Sequence, residues 1–262
     1  MISITTQNKN KTLNEILKAV FITAFWVLVW ELASRIVSRN NELLLLILPS
    51  PITVFNKWIS IAFTRSFVIA TLLTLLRIFV GYTIGCILGF LLGILTHVSK
   101  LVYSLFAPIL KIIRAVPVVA IIILMYLFFS SATLPILIVC LMVLPIIWQT
   151  VHDGLYNTDI KLLEMARVFN LTKYKTLTQV KLPHIMPQLI TSCVNSLGLA
   201  WKSGVAAEVI CLPSISLGTL LWQGKGSVEF AEVYAVTFTV VLLSILIEHL
   251  LKFLIKGGNA ND

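Results

Sequence analysis

Among the charged residues that stand inside long apolar stretches, three could act on a charged solute: Arg77, Lys202 and Glu208. A charge within an apolar medium costs about 2.5 kcal/mol or more, so it either pairs with an opposite charge or faces a water-filled path. Arg77 and Lys202, with Trp201 beside the lysine, would make a path positive and attract an anion. The alternative is structural pairing with Glu208. Lys202 and Glu208 are six residues apart, roughly 120° around one helix, so pairing would have to join different helices.

The remaining reactive side chains do not form a pattern typical of catalysis or metal binding. The nine residues Gly218–Gly226 resemble a phosphate-binding loop, but five residues separate the first two glycines and Gly226 replaces the Ser or Thr that binds Mg²⁺. No Cys-x-x-Cys pair occurs, and the cysteines are interpreted as buried small side chains. We therefore expect neither catalytic residues nor a metal site. The scattered histidines are His97, His152, His184 and His249.

The composition indicates that these residues sit in a membrane. Of 262 residues, 58% are hydrophobic and 12% are charged, whereas soluble domains are about half apolar and a quarter charged. An apolar core of about 30 Å needs about 20 helical residues, so about six spans fit the chain. The net charge of +9 comes from basic residues between apolar runs, as membrane topology requires, and we expect no nucleic-acid partner.

The apolar runs predict six spans. The stretch 115–151 lacks charge for 37 residues, which as one helix would be about 55 Å long, so it must fold back. Ser130, Ser131 and Pro135 supply the break between spans three and four. The other predicted spans are Ile16–Val37, Ile69–Leu95, Gln188–Cys211 and Val233–Leu254.

A single transmembrane domain, 15–256, is expected between cytoplasmic tails at 1–14 and 257–262, with its longest polar loop at 152–187. With six spans and a cytoplasmic N-terminus, thirteen Lys and Arg fall inside and five outside. This bias predicts that both termini are cytoplasmic.

Four glycines repeat every four residues along the second predicted span: Gly81, Gly85, Gly89 and Gly93. Small residues on one helix ridge allow close backbone contact, which holds helices together in lipid. We expect this ridge to pack against another span of the same chain or of a partner copy. Arg77 extends the ridge, so it should face protein or water rather than lipid.

The 152–187 loop contains a segment that predicts two short helices. Leu162, Leu163, Ala166 and Phe169 form one apolar stripe at helical spacing. Asn170 tolerates the left-handed conformation that ends a helix. Thr172 is expected to cap the second helix, and Pro183 to end it.

This segment resembles the EAA loop of binding-protein-dependent ABC permeases. That pattern is Glu-Ala-Ala, three residues, Gly, nine residues, then Ile-x-Leu-Pro. The chain keeps the spacing from Glu164-Met165-Ala166 to Pro183, with Met165, Asn170 and Val180 replacing the usual residues. Asn is the residue that best tolerates a positive φ next to Gly itself, so we expect the turn to be retained.

Other motifs resemble the nitrate, sulfonate and taurine branch of these permeases. They are Leu48–Pro51, Arg77 with the glycine series, Arg114–Pro117, Ala200-Trp201 and Ala206–Glu208. The chain departs from the branch at Phe128–Ser131, where a Phe-Gly-x-Gly-like turn is usual. The resemblance therefore does not name the solute.

The resemblance implies a type I ABC importer transmembrane domain, all-α, with about six helices and a cytoplasmic coupling helix, in the bacterial inner membrane. It implies that the chain is not itself an enzyme, because a cytoplasmic ATPase dimer binds the ATP and Mg. An extracytoplasmic solute-binding protein is the second implied partner, and we expect a homodimer of permeases surrounded by lipid. The residues implied to contact the ATPase are Lys161, Leu162, Leu163, Glu164, Met165, Ala166, Arg167, Phe169, Asn170 and Pro183.

Two other kinds of transporter remain as alternatives. The coupling subunit of a vitamin-type importer also binds ATPases, but it presents two Ala-Arg-Gly motifs, whereas one loop is evident here. An ion-coupled secondary transporter should show internal repeats and several midplane acids, whereas only Glu208 is evident. An intramembrane enzyme would need paired catalytic groups within spans.

Overall fold

Apolar runs of this length form helices because backbone polar groups in lipid must be satisfied within their own segment. A computed structural model describes residues 3–40 and 46–258, with side chains for 17–37, 39 and 46–250. These residues form α-helices and one π-helical turn, and the described part contains no strand. In chain order the helices are α1 (Ser3–Asn40), α2 (Pro51–Ala62), α3 (Arg65–Val98), α4 (Lys100–Ala115), α5 (Val118–Tyr126), α6 (Leu134–Tyr156), α7 (Ile160–Val168), α8 (Lys173–Lys175), the π turn (Thr176–Lys181), α9 (Leu182–Cys211), α10 (Leu217–Gly226) and α11 (Phe230–Gly258).

By length and composition, the described residues contain four helices able to cross a membrane, and the bent pair α4–α5 could make a fifth. The four lie in α1, α3, α6 and α11. The 30-residue α9 is long enough to cross but more polar, since it carries Lys202 and Glu208. The expected count of about six is reached only if the bent pair and α9 are both spans.

The chain divides into two units. The first consists of the described residues of Met1–Thr64 and Gln223–Thr237, and the second of those in Arg65–Trp222 and Phe238–Asp262. In the first unit, the Trp30 indole donates a hydrogen bond to the Pro49 carbonyl oxygen at 3.1 Å. Ser50 caps α2, whose first residue is Pro51. A proline suits this position because the first N–H of a helix has no partner within the helix.

The second unit is built around the contact between α3 and α6. All four glycines of the ridge are buried, and each lies against α6. A Cβ at Gly85 would come within 3.0 Å of the Cys140 carbonyl oxygen, and one at Gly89 within 2.7 Å of the Leu144 oxygen. The ridge therefore packs within the chain, where side chains would prevent the close approach.

The third predicted span is not a single straight helix. Lys100, Lys111 and Arg114, whose charges predict a short connection between the second and third spans, lie on the 16-residue helix α4, which is capped by Ser99. It meets the nine-residue α5 at a bend of 106°, so α5 does not cross alone. Val116, at ψ 134°, is extended because Pro117 disfavours the α conformation in the residue before it. The predicted break before Pro135 is confirmed, since α6 begins at Leu134.

Helices extend into stretches expected to lie outside the spans. The helix α1 already begins at Ser3, within the stretch expected as a tail. The C-terminal tail lies outside the described residues apart from 257–258, where α11 ends. The Pro/Ser/Gly-rich stretch after the fifth predicted span contains α10, with the Ser216 hydroxyl accepting a hydrogen bond from the Thr219 N–H at 3.0 Å.

Candidate functional site

Two charged residues of the second unit, Arg77 and Glu208, form a buried network between α3 and α9. The Arg77 Nη1 donates to Glu208 Oε1 at 3.0 Å, and the side chain of Glu208 is fully buried. Thr74 Oγ1 donates to the other carboxylate oxygen at 2.7 Å, and the Gly218 N–H reaches the same oxygen at 3.4 Å. A buried carboxylate with a cation and two further donors is the arrangement in which a charge is tolerated in a low-dielectric interior.

The same network holds the segment between α9 and α10. Arg77 also donates to the Ile215 carbonyl oxygen at 3.0 Å, and Thr74 accepts from the Leu217 N–H at 3.0 Å. The segment begins at Leu212, which adopts the left-handed conformation at φ 51°. For Arg77, the structure therefore favours pairing with Glu208 over a free positive charge.

Lys202 has a different environment. Its side chain is exposed, whereas the neighbouring Trp201 is buried and donates its indole N–H to the Val240 carbonyl oxygen at 3.1 Å. None of the ion pairs among the described residues involves Lys202. The two basic residues considered together in the sequence are thus separated: Arg77 is neutralised, and Lys202 presents its charge on the α9 surface.

The loop helix α7 is closed at both ends by local hydrogen bonds. The Asp159 carboxylate accepts from the Lys161 N–H at 2.9 Å, which caps the start. At the other end Asn170 has φ 50°, and the Leu171 N–H donates to the Ala166 carbonyl oxygen at 2.9 Å. This pattern is the left-handed helix ending that the sequence predicts.

The segment after α7 differs from the prediction at its end. Thr172 caps α8 as expected, accepting from the Lys175 N–H at 3.3 Å. The chain then remains helical through the π turn into α9, and Pro183 lies in the first turn of α9 rather than ending a helix. In a π turn each N–H bonds five residues back, as the Leu182 N–H does to the Leu177 oxygen. This wider turn is found where a regular α-helix is disturbed, here directly before a proline.

The predicted apolar stripe of α7 is only partly buried. Ala166 is 2% exposed and Phe169 is 71% exposed, while Leu162 and Leu163 are intermediate. Val168, at 78% exposed, adds to the outward apolar surface. The other implied contact residues on this helix are also exposed, namely Lys161, Glu164, Met165 and Arg167.

A polar cluster links the loop to the ends of α3 and α6. The Lys181 Nζ lies 3.0 Å from His97 Nε2, and burial lowers the pKa of the Lys181 ammonium. Thr96 Oγ1 lies 3.1 Å from His152 Nδ1, and Tyr103 stacks on the His152 ring with centroids 4.6 Å apart. No sequence motif indicates this cluster, because its members are far apart along the chain.

The sequence that builds this site matches a family of membrane proteins. Residues 81–257 match the model of the binding-protein-dependent transport system inner membrane component family. The matched region contains the glycine ridge, the buried pair's Glu208 and the whole loop. The chain belongs to this family.

Relatives of this permease are found in several transport systems. It is 24% identical to the putative aliphatic sulfonates transport permease SsuC of Bacillus subtilis, over 94% of this chain and 89% of that protein. It is 31% identical to the nitrate import permease NrtB of Leptolyngbya laminosa, over 69% of this chain and 65% of that protein. The taurine transport permease TauC of Escherichia coli is 27% identical over 92% and 83%. These matches place the permease in the nitrate, sulfonate and taurine branch.

Solved structures share the fold. A chain of the MetNI methionine ABC transporter in an inward-facing conformation matches with a TM-score of 0.64 at 19% identity, over 75% of this permease and 98% of that chain. The permease therefore has the fold of a type I ABC importer transmembrane domain, as the sequence predicted. The alternatives of a vitamin-type coupling subunit and a secondary transporter are not favoured.

Proposed function

We propose that this permease carries a small anion or sulfonate-like solute into the cell by alternating access. Nitrate, aliphatic sulfonates and taurine, named for its relatives, all carry an oxyanion group. Lys202 supports this solute class, because its exposed ammonium on α9 would attract an anion to the path. Arg77 would serve instead to hold the outer end of α9 to α3.

A separate ATPase dimer would drive the cycle by docking on the 161–170 segment. The observation that carries this proposal is the outward apolar surface of Phe169 and Val168, on a helix that lies between two spans and is fixed by caps at both ends. Large apolar side chains exposed outside the membrane are typical of a protein interface. ATP and Mg would bind to that partner, and this chain would bind no cofactor of its own.

The complete importer would contain a second copy of the permease and an extracytoplasmic solute-binding protein. With both termini cytoplasmic, the excess of basic loop residues would lie inside, together with the 161–170 segment. Nucleotide-dependent closure of the ATPases would then bias the permease between inward-open and outward-open states.

Co-purification tests the docking proposal. The permease would be co-expressed in turn with each ABC-importer ATPase encoded in its genome, and the amount of ATPase retained would be measured for Phe169→Asp and for Gln179→Asp. Both residues are exposed in the same loop and both changes add one negative charge, but only the first removes an apolar contact. We expect Phe169→Asp to lose the ATPase and Gln179→Asp to keep it. Equal retention by both variants would refute the docking surface.

A further inference from the structure

Two clefts beside the 152–187 loop are lined by basic side chains. One cleft, of about 570 Å³, lies between the loop and the end of α3. The other, of about 670 Å³, lies between the ends of α3, α4 and α6. His97 and Lys181 line both clefts, so the two adjoin. The basic residues that line one or both are Lys100, Arg167, Lys173, Lys181, His97 and His152.

The positive charge of these clefts is not balanced by carboxylates. Among the described residues, Asp153 is the one acid that lines either cleft. None of the ion pairs in this part of the chain involves Lys100, Arg167, Lys173 or Lys181. Several cations held close together without acids repel one another, and an anion between them would relieve that repulsion.

Lys181 is the side chain shared by the two clefts, and its contacts are uncharged. Its Nζ lies 3.0 Å from His97 Nε2 and 3.4 Å from the Leu155 carbonyl oxygen. An ammonium has three donors, so a third N–H can be donated to a ligand while both contacts are kept. Lys181 is therefore positioned by the protein to donate into the clefts.

The first cleft also has an apolar side. Val98, Leu163, Leu171 and Leu177 line it, and Val98 is the last residue of α3, a helix long enough to cross the membrane. If the span ends where α3 ends, the cleft lies beside the lipid headgroups. Basic residues beside apolar ones at this depth suit a ligand with an anionic head and an acyl tail.

We propose that the two clefts form a binding site for a phosphoryl group. Phosphate oxygens accept hydrogen bonds from Lys, Arg and His side chains, and such charge-assisted bonds are stronger than neutral ones. The apolar lining favours an anionic phospholipid as the source of the group, and free inorganic phosphate is the other source. The bound group would tie Lys173 and Lys181 of the loop to Lys100 of α4, so it would stiffen the base of the loop. The existence of the site does not depend on the proposed membrane orientation. The orientation decides only which leaflet supplies the lipid.

Lipid binding to the purified full-length permease tests the site. In a zwitterionic detergent, phosphatidylglycerol and phosphatidylcholine with the same acyl chains would be titrated, with retained lipid counted by native mass spectrometry and Tm measured in parallel. Inorganic phosphate would be added as a competitor in a second arm. The cleft variant is Lys100→Gln/Lys181→Gln, and the control is Lys111→Gln/Lys161→Gln. The control removes the same charge from exposed positions that line neither cleft.

We expect the wild type to prefer phosphatidylglycerol, the cleft variant to lose that preference by roughly tenfold, and the control to keep it. Displacement of the lipid by phosphate would support the site with either source, and resistance to phosphate would support the lipid alone. The site is overturned if the wild type shows no preference and no response to phosphate, or if the control loses as much as the cleft variant. If the double cleft variant aggregates, Lys100→Gln against Lys111→Gln decides. Because the permease is assayed without ATPase or solute, a negative result here leaves the proposed transport function intact.

Discussion

The guanidinium of Arg77 and the carboxylate of Glu208 are bonded at 3.0 Å across two helices, 131 residues apart in the chain. Glu208 is wholly buried, so the pair fixes α9 against α3 at a point that water does not reach. The contact joins two residues that the sequence offers as candidates for the solute path into one structural unit.

Removing the cation of this pair should destabilise the permease strongly. In Arg77→Gln the buried Glu208 carboxylate keeps its desolvation cost without a charged partner, a loss of about 3–5 kcal/mol. Thermal unfolding in detergent would measure the change. The double variant Arg77→Gln/Glu208→Gln should recover part of the loss, because no buried charge is then left unpaired. An unchanged Tm in Arg77→Gln would contradict the pairing.

Two glycine substitutions should have opposite effects on stability. A Cβ at Gly89 would meet the Leu144 carbonyl oxygen at 2.7 Å, so Gly89→Ala should cost about 1–3 kcal/mol by forcing α3 and α6 apart. At Gly198 nothing lies within 4 Å of the added Cβ. Gly198→Ala should therefore be neutral or stabilise by up to about 1 kcal/mol through helix propensity. Equal effects on Tm would argue against the ridge.

The left-handed turn at Asn170 should depend on the type of side chain. At φ 50° a glycine fits without strain, so Asn170→Gly should preserve ATPase coupling and stability. Asn170→Val places a β-branched residue in this region, at a cost of about 1–2 kcal/mol. Solute-stimulated ATPase activity of the assembled importer would compare the two. Wild-type coupling in the valine variant would show that this turn is not required.

The exposed charge of Lys202 should matter for solute entry but not for folding. Lys202→Gln should lower uptake of the anionic solute, with a rise in KM, because the attraction to the path is lost. Lys202→Arg keeps the charge and should retain most of the uptake. Tm should stay at the wild-type value in both variants. The role in solute attraction is excluded if Lys202→Gln transports with wild-type KM.

The first unit contains an ion pair that should respond to pH. Lys57 Nζ lies 2.9 Å from Glu229 and 3.1 Å from Glu232. The hydrogen bond from Lys57 lowers the pKa of Glu229 below its ordinary 4.5. The contribution of Glu229 to stability is therefore present above pH 4.5 and is lost as the pH falls through the lowered pKa. The pKa of Lys57 is raised above 10.5, chiefly by the bond to Glu229, so its contribution is lost only at higher pH. The Tm difference between wild type and Lys57→Gln should thus be constant from about pH 6 to 9 and shrink in strong acid.

Local features of the fold could be predicted from the sequence. Long apolar runs gave α3, α6 and α11, and the turn at Asn170 and the cap at Thr172 depend only on neighbouring residues. The glycine spacing predicted close packing, but the partner helix could not be identified, because a ridge of small residues fits any facing helix.

Features set by distant residues could not be predicted. Pairing with Glu208 was one of the two alternatives from the sequence, but which basic residue makes the pair depends on how two helices approach. The contact of Lys181 with His97 spans 84 residues. The helix α4 was missed because Lys100, Lys111 and Arg114 interrupt the apolar run, although its apolar positions bury Ala107 and Leu110. The Ser216 cap was a local signal for α10 that could have been used.

The unbroken helical path from Lys173 to Cys211 has a mechanical consequence. Its longest part, α9, is roughly 45 Å long at 1.5 Å per residue, and it joins the 152–187 loop at one end to Glu208 near the other. Such a rod works as a lever: a tilt of roughly 5° at its base would sweep the distant tip through roughly 4 Å. A motor acting on the loop would therefore move the far end of α9 the most, and α3 would move with it because Arg77 joins the two helices at that end.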